Sequence, residues 1–343
     1  MIMPIPIILG VSAAIAALVG IERGVNGAVK MKEANDTMEA ATSRHKRNIA
    51  SFTKKQTETT IVMDKLGKLE LGILGSFDKF SKIFEKIHNK PQFASYEKNG
   101  VIIPEYNAEE LKKVSTFVGV LLGGIGGAAA GTAGGFAAAG ATTAVVMALG
   151  AASTGIPIAS LSGIAATNAT LALLGGGTLA AGGGGIALGV TILSAATFGV
   201  GLLVGGIVFS ITGNSLSDKA DEAWGQMKKV EQEIDKICAY LDELKNYATK
   251  YIQSLTDVKE VYDYHINTLS YTVNNMKKTD WDTFSEEQKL ITENTVLLVG
   301  LLYNMCKIQM VLSSNNEKEP NRVNKHEVEK ALSNSKAFLE SIA

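Results

Sequence analysis

A chain of 343 residues has room for two or three domains, and a formal net charge of −1 leaves no global field to draw it to nucleic acid or to an acidic surface. The near-neutral total hides an asymmetry: residues 114–217 contain no Asp, Glu, Lys, Arg or His, and all the charge lies in the two flanks. An ordinary soluble surface is excluded for that central stretch, because such surfaces carry charge every few residues.

Residues 1–21 are also free of charge. Pro4 and Pro6 are followed by a smooth apolar helix pattern over 7–21. A secretory signal would place Lys or Arg ahead of the apolar core, and none precedes Arg23. A helix buried in an oligomer fits the pattern; a membrane anchor fits it best. Residues 22–90 contain no proline and read as one long helix, or two in line. Val62, Leu66, Leu69, Ile73, Phe77, Phe80, Phe84 and Ile87 step by three or four and form one apolar face. Residues 91–107 read as a connector, with a turn signal at Asn99-Gly100 and an extended piece at 101–103. Asn107 with Glu110 is a helix start of the capping-box kind.

The helix that starts there runs into the charge-free stretch, close to half of which is Gly and Ala. Gly119, Gly123, Gly127, Gly131 and Gly135 recur at every fourth position. Residues four apart share a helix face, so the pattern makes a groove without side chains, the kind that lets helices approach closely in lipid. A second row appears at Gly185 and Gly189 and returns at Gly201 and Gly205. Residues 114–217 therefore read as a membrane-inserting region, broken near Pro157, with an even number of passes.

From 218 to 271 the pattern is that of a coiled coil. Met227, Val230, Ile234, Ile237, Leu241, Leu244, Ala248, Tyr251, Leu255, Val258, Tyr262, His265 and Leu269 alternate in steps of three and four. The expected partner is the helix ending near Ile87, packed antiparallel, with the seam setting assembly. Residues 277–285 read as a loop, and Ser285 with Gln288 as a second capping box. The helix after it is expected to reach about Leu312 as a buried bundle helix, since its uncharged middle is too short to span a membrane. Residues 315–321 read as a turn, and 324–342 as a final amphipathic helix.

No catalytic constellation stands out, and the chain reads as a non-enzyme without cofactor. The four histidines lack metal-ligand spacing. His265, at a coiled-coil core position, reads as a satisfied core histidine, with a pH-sensitive register lock as the sharper alternative. Cys238 and Cys306 read as reduced thiols, with a disulfide between them as the alternative. A basic cluster, Arg44, Lys46, Arg47, Lys54 and Lys55, reads first as a solvated face. Anionic lipid or a nucleic-acid or nucleotide regulator is the functional alternative. Arg23, Lys30 and Lys32 follow the first apolar run, Lys112 and Lys113 precede the central one, and Lys219, Lys228 and Lys229 follow it. Basic flanks of this kind stay in the cytoplasm.

The layout of long helix, apolar Gly/Ala-rich hairpin and long coiled-coil helix resembles the helical pore-forming toxins. A more specific likeness rests on Ser162-Gly163, Ala165-Ala166-Thr167-Asn168-Ala169-Thr170-Leu171-Ala172, Leu174-Gly175-Gly176-Gly177 and Leu179-Ala180-Ala181-Gly182-Gly183. These words resemble bacterial proteins with a Gly-rich apolar centre, some of which look like membrane effectors of phage-defence systems of the Hailong type. That resemblance implies a channel gated by DNA oligomers and supplies no catalytic residues.

The expected fold is thus all-α: long helices in an antiparallel coiled coil or bundle around a Gly/Ala-rich transmembrane hairpin. The segments are an anchor at 1–21, a long helix and connector at 22–113, the inserting region at 114–217, and a coiled coil and bundle at 218–343. The expected function is an oligomeric pore or ion channel in a bacterial inner membrane, with its partners the lipid bilayer and further copies of itself. A non-conducting scaffold, a chemosensory-like protein and a secreted toxin are the alternatives.

Overall fold

The computed structural model describes residues 25–91, 93, 96–98, 101–103, 108–124, 216–312 and 321–342. The expected anchor at 1–21, the turn at Asn99-Gly100, the cap at Asn107 and most of the glycine-rich stretch lie outside the described residues. The described chain is mostly helical, with few strands. Its helices are α1 (Val25–Phe84), α2 (Ala108–Gly124), α3 (Leu216–Ser270), α4 (Glu286–Met305) and α5 (Lys325–Ile342). None of these is long and apolar enough to cross a membrane.

The chain divides into two compact units, and each long helix contributes to both. The first unit takes residues 25–56 of α1 and 216–239 of α3. Its seam begins small, with Ala34, Met38 and Ala220 clustered, and continues through Phe52, Met227, Val230, Ile234 and Ile237, all buried. The second unit takes the rest of α1 and α3 with α2, α4 and α5. Here Met63, Leu66, Ile73, Phe77 and Phe80 of α1 and Leu241, Leu244, Ala248, Tyr251, Leu255 and Val258 of α3 are buried. The Phe77 and Tyr262 rings meet edge-on at 5.9 Å. The expected seam residues Ile234 (3% exposed), Ile237 (1%), Leu241 (0%) and Leu244 (0%) are all covered within a single chain. The seam is therefore already closed without a second copy.

The direction of that pairing corrects the sequence expectation. In the second unit, Lys245 Nζ bonds Glu58 Oε2 at 2.9 Å. Further along both helices, Lys79 Nζ bonds Asn267 Oδ1 at 2.6 Å. Lys86, just past α1, bonds Asn274, just past α3, at 2.7 Å. Contact positions rise together on the two helices, so here α1 and α3 run parallel, not antiparallel. The first unit repeats the sense, with Ala34 and Met38 beside Ala220 and Arg44 bonded to Glu231. A periodic apolar face tells which side of a helix is buried and leaves the direction of its partner open.

α2 runs into the charge-free stretch, as expected: Val114, Ser115 and Val118 are buried in the second unit, and Lys112 pairs with Glu85 at 2.7 Å. The first turn of the charge-free stretch is thus helical-body core. α4 stops at Met305 rather than near Leu312. The Cys306 amide caps it on Leu302 O at 2.9 Å, and Val311–Leu312 pairs antiparallel with Arg322–Val323. No Gly or Pro marks that stop; a short-range strand pairing further along the chain takes over. The start of α4 is as expected, with both hydrogen bonds of the Ser285–Gln288 capping box present. Val101–Ile103 is a strand, antiparallel to Tyr96–Lys98.

Candidate functional site

The first unit carries the basic cluster. Helical geometry places Arg44, Arg47 and Lys54 on neighbouring turns of α1, but the structure divides them by role. Arg44 turns toward α3, where its Nε donates to Glu231 Oε1 at 2.9 Å. Asn48 donates to the same oxygen at 3.2 Å. The Arg44 hydrogen bond holds the Glu231 carboxyl below its usual range, with Asn48 and the charge of Lys228 adding to it. Lys46, Arg47 and Lys54 are exposed, and Lys55 is half-buried. So the expected five-residue face becomes one cation bound internally, one partly covered and three presented to solvent.

A residue that the pattern did not single out sits at the centre of this surface. Trp224 of α3 has Arg44 over its ring, 5.8 Å from the centroid, and Lys228 Nζ 5.7 Å from it. The ring's negative face attracts both cations. With Lys228 and Lys229 exposed, α3 extends the basic surface that α1 begins. A lone Trp flanked by Lys219, Lys228 and Lys229 was the available signal. Such an arrangement presents exposed cations, two of them on α3 beside Trp224. Among the described residues, no group of three or more His, Cys, Asp or Glu side chains is placed to hold a metal ion.

Of the glycine stripe, Gly119 and Gly123 fall in α2, whereas Gly127, Gly131, Gly135, Gly201 and Gly205 lie outside the described residues. Gly119 is exposed, and a Cβ built there meets nothing within 4 Å. Among the described residues, its bare face is open. His265 is buried, its Nδ1 2.9 Å from Val261 O one turn back on its own helix. Cys238 and Cys306 are both buried, and neither is in a disulfide.

The second unit holds a feature that the apolar pattern concealed. The buried row of α1 runs Leu66, Glu70, Ile73, Phe77, so the seam position expected of Leu69 belongs to Glu70. Leu69 itself is only half-buried. Glu70 is 0% exposed, and among the described residues neither carboxyl oxygen has a hydrogen-bond partner. Burial pushes its pKa well above the ordinary carboxylate range. No family model, curated protein or solved structure matches this chain.

Proposed function

We propose that this protein is an oligomeric membrane pore or channel effector, acting on a bacterial membrane in phage defence or bacterial conflict. The observation that carries the reading is the charge-free stretch 114–217, which is too long and too rich in Gly and Ala to serve as a soluble surface. Its glycine stripe is suited to close helix packing in lipid. Charged helical flanks on either side are suited to remain in the cytoplasm and to carry the control. Because two passes of one chain cannot enclose a conducting path, several copies assemble around it. The exposed Lys46, Arg47 and Lys54, with Lys228, Lys229 and Trp224 on α3, form the surface for an anionic regulator. The reading needs no catalysis.

The test is expression in cells with dye entry and membrane depolarisation as readouts. The wild type permeabilises the membrane. Gly127→Leu reaches the membrane fraction but does not permeabilise, because its side chain blocks the close approach that the stripe allows. Leakage equal to wild type in the variant would remove the packing role of the stripe. A wild type that never leaks, under any trigger, would favour a non-conducting scaffold.

A further inference from the structure

Glu70 stands at mid-seam in the second unit, where its neighbours along the row, Leu66, Ile73 and Phe77, are all apolar and buried. Three elements converge on it. From α1 come Leu66, Ile73 and Leu74, all fully buried. From α3 comes Tyr251, buried, whose hydroxyl donates to Met305 O at 2.9 Å. From the end of α4 comes Cys306, whose Sγ lies 3.9 Å from the Glu70 carbonyl. The ionisable groups that face the carboxyl are thus a phenol and a thiol. Burial raises both of their pKa values, and Glu70 raises them further when it is ionised. No cation is among the groups that shift Glu70.

A carboxylate without a partner is among the most costly groups to hold in an apolar interior, and the ordinary outcome is that it keeps its proton. The arrangement is then stable in one charge state only. We propose that Glu70 is a proton-controlled latch: the packing of α1 against the end of α4 stays closed while the carboxyl is protonated, and it opens as the carboxyl ionises. The sign follows from linkage. A carboxyl whose pKa is higher in the closed state than in the open one imposes no penalty below the open-state value. Above that value the open state loses its proton first, so closure weakens as pH rises toward the closed-state value. Over that window the opening constant rises by about tenfold per pH unit for one proton released. The latch needs no membrane or channel role, so its test is independent of the proposed function.

The test is hydrogen–deuterium exchange of the full-length protein from mildly acidic to mildly alkaline pH, corrected for the intrinsic pH dependence of exchange. The amides to follow are those around Glu70 in α1 and those of Cys306 and Lys307, which close the end of α4. In the wild type the corrected opening constant rises with pH, approaching about tenfold per unit. In Glu70→Gln and in Glu70→Leu the rise is lost, because the side chain has no proton to release. Cys306→Ala keeps the rise, which separates the carboxyl from the thiol. A wild-type opening constant independent of pH, or the same rise in Glu70→Gln and Glu70→Leu, would overturn the proposal. So would failure of both neutral variants to fold, since the neutral form is the one that the core is proposed to hold.

Discussion

Leu241→Ala tests whether the long seam is closed within one chain. Leu241 is fully buried, and its carbonyl accepts the Thr59 hydroxyl of α1 at 3.1 Å. Its side chain therefore lies where α1 and α3 meet in the second unit. Truncation to Ala removes three carbons. At about 0.8 kcal/mol for each buried CH2-sized group, plus the void left behind, the loss is about 3–4 kcal/mol. Small domains have only about 5–15 kcal/mol in total. The assay is urea unfolding of the full-length protein in detergent, with Trp224→Phe as background so that Trp281, which is buried against Phe93 and Phe284, reports the second unit. With a slope of about 2 kcal/mol per molar urea, the midpoint falls by about 1.5–2 M. It also stays the same at two protein concentrations, because an intramolecular seam has no mass-action term. An unmoved midpoint, or one that climbs with protein concentration, would refute the single-chain seam.

Two further outcomes follow from single positions. Gly72 lies inside α1 on its exposed side, with nothing within 4 Å of a Cβ built there. Gly72→Ala should raise stability by about 0.5–1 kcal/mol through helix propensity alone, and a destabilised variant in urea unfolding would show a neighbour outside the described residues. Reversal of Lys46 and Arg47 to Glu should weaken binding to DNA oligomers or to anionic vesicles and flatten its fall with salt, with the helix content unchanged in circular dichroism. Both residues are exposed, unlike Arg44, whose reversal would also break the Glu231 contact. Unchanged binding to both probes would return this surface to solvated charge.

What the sequence made legible was local. The three-and-four stepping from Met227 to Leu269 named the buried face of α3, because a helix buries a stripe and apolar residues must occupy it. The start of α4 was readable at Ser285 and Gln288, since a capping box is closed by residues three apart. One failure was set by contacts distant in the chain. The direction of α1 beside α3 depends on side-chain partners near 187 residues apart, such as Glu58 and Lys245. The end of α4 failed for a nearer reason, a short-range strand pair with Arg322–Val323 that the apolar pattern did not separate from helix. Glu70 was hidden for a different reason. Leu69 beside it offered an apolar residue at an acceptable step, and a pattern search prefers the apolar neighbour to a buried acid. Of the basic cluster, sequence located the cations but not the division between Arg44, held by Glu231, and the exposed Lys46 and Arg47.

The parallel sense of α1 and α3 also separates two kinds of length change. In the second unit the partner pairs keep almost one separation, 187 for Glu58 with Lys245 and 188 for Lys79 with Asn267 and for Lys86 with Asn274. Residues added or lost between the helices change that separation for every pair equally and leave the facing partners as they are. A single residue inserted within either helix does the opposite. It turns everything beyond it by about 100° around the helix axis and carries the following seam residues off the buried face. Length changes between the two helices therefore leave the α1–α3 partner pairs in place, while the helices themselves admit changes of whole heptads only.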